Sequence, residues 1–206
     1  RWLDAPLLSQ ESRDLLAETV PPQPAPGTFR QGGRIDLAMV LVAGLSAGVL
    51  ATLAQLVLWW LAEVPLIDTL LRDARLTAAL LMGQEVLPPP TTGRWDILLV
   101  ASFIHFALSL SYALLPAALS GRWRIGPTLL AGAFYGLLIY GVNLYGLTWF
   151  FPWFAVSRDW VTLLAHLVFG ISLSGACLLF ARCAGRRSGS AERGMLGYID
   201  FKETKT

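Results

Sequence analysis

The sequence predicts an all-α integral membrane protein, a bundle of four transmembrane helices. Its 206 residues are 55% hydrophobic and only 15% charged, and their mean hydropathy is +0.57. In an average soluble domain about a quarter of the residues are charged. Four apolar stretches reach the roughly 20 residues that a helix needs to cross the hydrocarbon core. In lipid a helix satisfies its own backbone hydrogen bonds, so the stretches are predicted to be helices.

The predicted membrane domain, residues 35–185, holds spans at 35–61, 97–119, 125–151 and 160–181. Residues 64–96 form the loop between the first two spans. Within this loop, residues 67–82 have the mixed faces of a helix that lies at the membrane surface or on top of the bundle, and the helix is predicted to end at Gly83. Residues 1–34, with a Pro-rich linker, and the Ser-, Gly- and charge-rich tail 186–206 are predicted to lie outside the lipid.

The arginines predict which side of the membrane each loop faces, because short loops rich in Lys and Arg stay in the cytoplasm. One side carries seven of them: Arg30, Arg34, Arg122, Arg124, Arg182, Arg186 and Arg187. The other side carries four arginines together with six acids. Both termini are therefore predicted to be cytoplasmic, with the loop 64–96 on the outer side.

The composition argues against several functional classes. The net charge is only +2, and the basic residues fall mainly in loops and tails, so binding of nucleic acid is not expected. No acid lies deep in a span, and no Gly-rich phosphate loop follows a strand, so neither a Ser-His-Asp site nor a nucleotide site is expected. The protein is therefore predicted not to be an enzyme.

Spans one and three share a pattern of small and polar residues. At an offset of 88 residues the matching positions are Gly44 and Gly132, Gly48 and Gly136, and Gln55 and Asn143. Spans two and four each carry a histidine followed by Ser-Leu-Ser, and these histidines are His105 and His166. The pattern predicts a two-helix unit used twice in the same orientation, a parallel 2+2 repeat. The glycines follow the small-xxx-small spacing that lets helices pack closely.

Each span also contributes one polar side chain at a similar depth. At 1.5 Å per residue, Gln55, His105, Asn143 and His166 lie roughly 10–14 Å below the outer ends of their spans. Because a polar group that faces lipid costs several kcal/mol, the four are predicted to point inward and to bond one another. Glu63, at the outer interface, is either a cap over this polar layer or a solvated charge at a helix end.

Three interpretations of the polar layer stay open. In the first, which needs no cofactor and no metal, hydrogen bonds of less than about 1 kcal/mol each only fix the helix register. In the second, the layer belongs to a path for protons, ions or solutes, since intramembrane histidines act as relays. In the third, His105 and His166 are the axial ligands of a b-type haem. The first is preferred, because the inner half of the spans offers mainly Ser, Thr and Tyr for a path.

Five short motifs in residues 40–185 suggest a family. They are residues 62–66 (Ala-Glu-Val-Pro-Leu), His105 with Tyr112, residues 129–133 (Leu-Leu-Ala-Gly-Ala), residues 146–148 (Gly-Leu-Thr) and residues 166–168 (His-Leu-Val). Together they resemble the YagU-like family of small bacterial inner-membrane proteins. The resemblance implies a bacterial inner-membrane location and a functional interest in Glu63, His105 and His166, but no reaction. Thr162 stands where the resemblance implies an acid one turn before the histidine.

The function favoured by the sequence is a non-catalytic accessory subunit of a larger inner-membrane complex, for example an energy-transducing one. Two observations motivate it: no active-site constellation is visible, and the tails have a composition that does not fold alone. The expected partners are the lipid bilayer and other membrane subunits. The alternative is a small channel or transporter for protons, ions or solutes that uses the His/Gln/Asn layer, and a haem carrier is a further alternative.

Overall fold

The structure is a computed structural model that describes residues 36–89, 92–119 and 124–203, with side chains up to Ala184. The described residues form five α-helices: α1, Leu37–Leu61; α2, Leu66–Met82; α3, Trp95–Leu119; α4, Ile125–Gly141; and α5, Trp160–Glu203. No strand occurs in these ranges, which confirms the predicted all-α class. The predictions for residues 1–34 lie outside the described residues.

Four segments are long and apolar enough to cross a membrane: Leu37–Leu61, Trp95–Leu119, Ile125–Trp149 and Trp160–Ala184. Each contains 25 residues. At 1.5 Å per residue a helix of this length is roughly 37 Å long, which exceeds the roughly 30 Å of the hydrocarbon core. Large apolar side chains such as Leu99, Phe103 and Phe134 are exposed on the outside of the bundle, where lipid replaces protein as their surroundings. The chain is thus a multi-pass membrane protein.

The first span is delimited by two local features. Asp36 is the N-cap of α1, and its carboxylate accepts a hydrogen bond from the backbone N–H of Ala38 at 2.9 Å. Such a cap satisfies one of the N–H groups that the first helical turn leaves free. After Leu61 the chain turns sharply, with Glu63 in the left-handed region at φ +55°. Glu63 is exposed in this turn, which leads directly into α2.

The predicted surface helix is present as α2, and a buried arginine holds it in place. Arg75 is only 5% exposed. Its guanidinium donates to the carbonyl oxygen of Val86 at 3.0 Å and to both the carbonyl oxygen and the hydroxyl of Thr92 at 2.8 Å. In addition, the indole N–H of Trp153 donates to the carbonyl oxygen of Leu76 at 3.1 Å. These bonds fasten α2 to the connections at the same end of the bundle.

The third span departs from a regular helix near its end. α4 continues as a π-helical turn, Val142–Gly146, and a 3-10 turn, Leu147–Trp149. Wider i→i+5 bonding in a π-helical turn shifts the register of the side chains that follow. Arg158 satisfies this irregular backbone, because its Nε donates to the carbonyl oxygen of Leu144 at 2.7 Å. The sequence had predicted one regular span as far as residue 151.

Glycines bring α4 and α5 into backbone contact. A Cβ atom added at Gly136 would lie 2.2 Å from the carbonyl oxygen of His166, and one added at Gly132 would lie 2.6 Å from that of Gly170. Real Cβ atoms essentially never come within 3.0 Å of such atoms. Only glycine therefore permits this crossing, in the manner of small-xxx-small packing.

The glycines of α1 face α3, where their nearest contacts are with side chains. A Cβ atom at Gly44 would lie 2.9 Å from a methyl group of Leu110, and one at Gly48 would lie 2.9 Å from the hydroxyl oxygen of Ser109. Each glycine stripe thus packs against the span that follows it in the chain, as the predicted repeat requires. The 2+2 repeat itself stays a prediction.

The last helix is longer than predicted. The sequence predicts a span that ends at residue 181, followed by a tail with the composition of a disordered segment. Instead, α5 continues without a break to Glu203. The physical reason is cooperativity: nucleation of a helix is costly, whereas extension of an existing helix fixes one residue for each new hydrogen bond.

Candidate functional site: a polar cavity between the spans

The four residues of the predicted polar layer line one cavity of about 210 Å³. Gln55 comes from α1, His105 from α3, Asn143 from the π-helical turn after α4, and His166 from α5. Four residues of α2 line the same cavity: Asp73, Leu76, Thr77 and Leu80. All five helical segments therefore meet at this cavity, and α2 covers it at one end of the bundle.

His105 is bonded to the backbone of α1. Its Nε2 lies 3.3 Å from the carbonyl oxygen of Gly48 and 3.4 Å from the hydroxyl oxygen of Thr52. The hydroxyl of Thr52 itself donates to the carbonyl oxygen of Gly48 at 3.0 Å, so the Thr52 oxygen is free to accept. A carbonyl oxygen accepts only, so Nε2 carries the hydrogen, and a neutral imidazole then presents Nδ1 as an acceptor.

His166 has the opposite tautomer for the same reason. Its Nδ1 lies 2.7 Å from the carbonyl oxygen of Thr162 one turn earlier on α5, so Nδ1 carries the hydrogen. A neutral ring in this tautomer presents Nε2 as an acceptor. The ring of Tyr140 packs edge-on against His166, with 5.5 Å between the centroids. Thr162, which stands where the resemblance implies an acid, thus orients His166 through its backbone carbonyl group.

The hydroxyl of Thr162 is an unpaired polar group. Thr162 lines the cavity and is 6% exposed, and its Oγ1 has no hydrogen-bond partner among the described residues. A buried hydroxyl without a partner costs about 1–3 kcal/mol, and most buried polar groups in proteins are paired. The cavity wall therefore has hydrogen-bonding capacity that this chain leaves unused.

Asn143 forms a bridge between α3 and the end of α4. The phenol of Tyr112 donates to Oδ1 of Asn143 at 2.6 Å, and the phenol of Tyr135 donates to the carbonyl oxygen of Tyr112 at 2.9 Å. Over their described lengths α3 and α4 make little other direct contact. Gln55, which is partly buried, has no hydrogen-bond partner among the described residues.

The expectation that the four layer residues bond one another is therefore wrong for the described structure. They surround one cavity, but the hydrogen bonds of both histidines and of Asn143 go to Gly48, Thr52, Tyr112 and Thr162. Depth along a helix can be counted from sequence, whereas the partner of a side chain depends on the rotation of each helix about its axis.

Asp73 is the cavity residue that the sequence analysis missed. Its Oδ1 accepts from Nε of Arg72 at 3.0 Å and lies 2.9 Å from Nη2 of the same guanidinium. Burial raises the pKa of the Asp73 carboxyl, and the charge of Arg72 offsets part of this rise. A signal was available, because Asp73, Leu76, Thr77 and Leu80 follow the i, i+3, i+4, i+7 spacing of one helix face.

The half of the bundle away from α2 contains a packed core and a second cavity of about 300 Å³, which shares no lining residue with the first. Its buried core consists of Met39, Val40, Ala43, Ala47, Ala51, Ala113, Ala117, Ile139, Phe169, Leu173 and Cys177. On every span these residues lie at or beyond the cavity-lining positions, towards the end opposite α2. The cavity beneath α2 is therefore lined separately from the second cavity in this conformation.

The site does not fit a haem or a metal ion. No three His, Cys, Asp or Glu side chains within the described ranges are grouped so that they could hold a metal. His105 and His166 line one cavity, whose volume is about 210 Å³. Pockets for drug-sized ligands have volumes of roughly 300–1,000 Å³, and a porphyrin is larger than such a ligand. Glu63 does not line the cavity.

No protein-family model, curated protein or solved structure matches this chain. The resemblance to the YagU-like family stays a prediction from short motifs. The cavity and the side chains that line it are the features of this chain that bear on its function.

Proposed function

We propose that this chain is a small membrane transporter whose solute binds in the cavity beneath α2. The observation that carries the proposal is the unpaired hydroxyl of Thr162 in a cavity of polar and apolar side chains on which all the spans converge. If the polar residues served only to fix helix register, they would be expected to satisfy one another. In a transporter, by contrast, the bound solute forms hydrogen bonds with polar groups that the protein leaves unpaired.

The shape of the site supports a carrier rather than an open pore. Solute sites of secondary transporters lie within the bundle, and access alternates between the two sides. Here the cavity lies under α2, and it shares no lining residue with the second cavity in the opposite half of the bundle. With a volume of about 210 Å³, the cavity suits a compact solute.

The proposed location is a bacterial inner membrane, with both termini in the cytoplasm and α2 outside. The distribution of arginines in the sequence supports this orientation. Trp60, Trp95 and Trp149 all lie at the α2 end of their spans and are more than 70% exposed. Indole rings prefer the headgroup region, so these side chains mark one membrane interface.

Filling the cavity from α2 is expected to abolish solute binding. Thr77 lines the cavity, so Thr77→Trp places an indole in its volume. Leu81 lies on the same helix but is 66% exposed, so Leu81→Trp is the matched control. Untargeted mass spectrometry of small molecules released from protein in native-lipid nanodiscs is expected to find a solute in the wild type and in Leu81→Trp, and not in Thr77→Trp. The same set of molecules in all three proteins, or none in any, would overturn the proposal.

An accessory role in a larger inner-membrane complex is the second candidate. The observation that favours it is the continuation of α5 past the end of the span at Ala184 to Glu203. Most helical stability in proteins comes from packing against another surface, so this extension is a candidate surface for a partner. Purification in mild detergent followed by mass spectrometry of the intact assembly is expected to recover a stoichiometric partner. A lone monomer or homo-oligomer from native membranes would contradict this candidate.

A further inference from the structure

The cavity wall is rich in hydrogen-bond acceptors. Backbone carbonyl groups take the N–H of both histidines, so neutral rings offer the lone pairs of His105 Nδ1 and His166 Nε2. Arg72 bonds only Oδ1 of Asp73, and Oδ2 has no hydrogen-bond partner among the described residues. A solute that satisfies this wall must itself bring N–H or O–H donors.

The only formal charge on the described wall of the cavity is negative. Among its lining residues Asp73 is the one Asp, Glu, Lys or Arg. Arg72 reaches Asp73 without lining the cavity, and Arg158 is bonded to Leu144 and Thr148 instead. An anionic solute would therefore meet a carboxylate and lone pairs, whereas a cation would meet opposite charge.

We propose that the solute is a small primary ammonium ion, R–NH₃⁺, and that Asp73 recognises its charge. The inference rests on the proposed function, since it names the solute class of the same cavity. An ammonium group supplies three donors, which complement the acceptors His105 Nδ1, His166 Nε2 and Asp73 Oδ2. The short chain R packs against the apolar part of the lining, which includes Leu80, Phe154 and Phe169. A quaternary ammonium ion carries the same charge but no N–H, so it leaves the acceptors unpaired.

The test compares four probes of similar size on wild-type protein in nanodiscs at equal ionic strength: n-propylammonium chloride, tetramethylammonium chloride, sodium propionate and propanamide. Thermal unfolding is followed at increasing probe concentration, because a ligand of the folded state raises Tm. Only n-propylammonium is expected to raise Tm in a saturable way. A saturable rise with propionate, propanamide or tetramethylammonium equal to that with n-propylammonium would overturn the assignment of the solute class.

The variant Asp73→Asn is expected to bind n-propylammonium at least about tenfold more weakly, because a hydrogen bond to a charged group is lost. Asp68→Asn is the matched control, since Asp68 lies exposed on the same helix and does not line the cavity. Equal weakening in both variants would contradict the role of Asp73. The ranking of probes on wild-type protein keeps the test valid if Asp73→Asn does not fold.

The failure of this inference is distinguishable from failure of the proposed function. A cavity-dependent solute without an amino group, released from wild-type protein but not from Thr77→Trp, would overturn the ammonium assignment and leave solute binding intact. If no probe shifts Tm and no cavity-dependent solute is released, both proposals fall. A released primary amine, even one larger than the probes, supports both.

Discussion

Replacing Gly170 with alanine is expected to separate α4 from α5 and to destabilise the whole bundle. The added Cβ would lie 2.2 Å from the carbonyl oxygen of Gly132 and 2.6 Å from the backbone nitrogen of Gly136. Both contacts are with backbone, which cannot move aside as the end of a flexible side chain can. Overpacking of a core costs about 1–3 kcal/mol, and a clash with backbone on this scale is expected to cost at least about 3 kcal/mol. Denaturant unfolding in detergent micelles measures the loss.

Gly126→Ala is the matched control for this prediction. Gly126 also lies in a membrane helix, but a Cβ atom there meets nothing within 4 Å. Alanine is the better helix former by about 1 kcal/mol, so this variant is expected to be neutral or slightly stabilised. If Gly170→Ala unfolds no more easily than Gly126→Ala, the close approach of α4 to α5 is wrong.

Replacing Arg75 with methionine is expected to detach α2 and the connection that follows it from the end of the bundle. The buried guanidinium donates to Val86 and Thr92, and hydrogen bonds to charged groups contribute about 1.5–3 kcal/mol each. Methionine retains most of the apolar stem but none of the donors, so we expect a loss of at least about 3 kcal/mol. Hydrogen exchange should increase first in residues 66–92.

Arg94→Met provides the comparison, because Arg94 lies at the same end of the bundle and pairs with Asp96 at the surface. The two side chains are 55% and 49% exposed. An exposed ion pair contributes at most about 1 kcal/mol and often nothing measurable. Equal hydrogen exchange in Arg75→Met and Arg94→Met would show that Arg75 does not hold α2.

The four spans could be predicted because lipid leaves the backbone few choices. Residues 97–119 and 160–181 contain long apolar runs without interior charges, and such runs are stable in a bilayer only as helices. The surface helix from residue 67 to 82 was also predictable, since Gly83 ends it where the amphipathic spacing stops. By contrast, the π-helical turn at Val142–Gly146 has no compositional signature.

The candidate site was accessible to sequence analysis only in part. Counting depth puts Gln55, His105, Asn143 and His166 at one level, and the structure places all four around one cavity. The contribution of Asp73 was missed because the sequence did not show which face of α2 turns towards the bundle. Counting residues along a span does not predict how a helix outside the span packs on the bundle. That packing depends on long-range hydrogen bonds such as the one from Trp153 to Leu76.

A cysteine at position 55 tests the cavity and its one-sided access most directly. Gln55→Cys is introduced together with Cys183→Ser, because Cys183 is the exposed native cysteine and Cys177 is buried. The control is Leu53→Cys, two residues away on the same helix, at a position that is 53% exposed towards lipid. The reagent is a small, charged, membrane-impermeant methanethiosulfonate applied separately to the two sides of oriented vesicles.

The predicted result is modification of Gln55→Cys from the outer side only, slowed by n-propylammonium, with little modification of Leu53→Cys from either side. A thiol in hydrocarbon does not form the reactive thiolate, whereas a thiol in a polar cavity does. Modification of Gln55→Cys from the cytoplasmic side, or at the same rate as Leu53→Cys, would contradict a polar cavity that opens beneath α2.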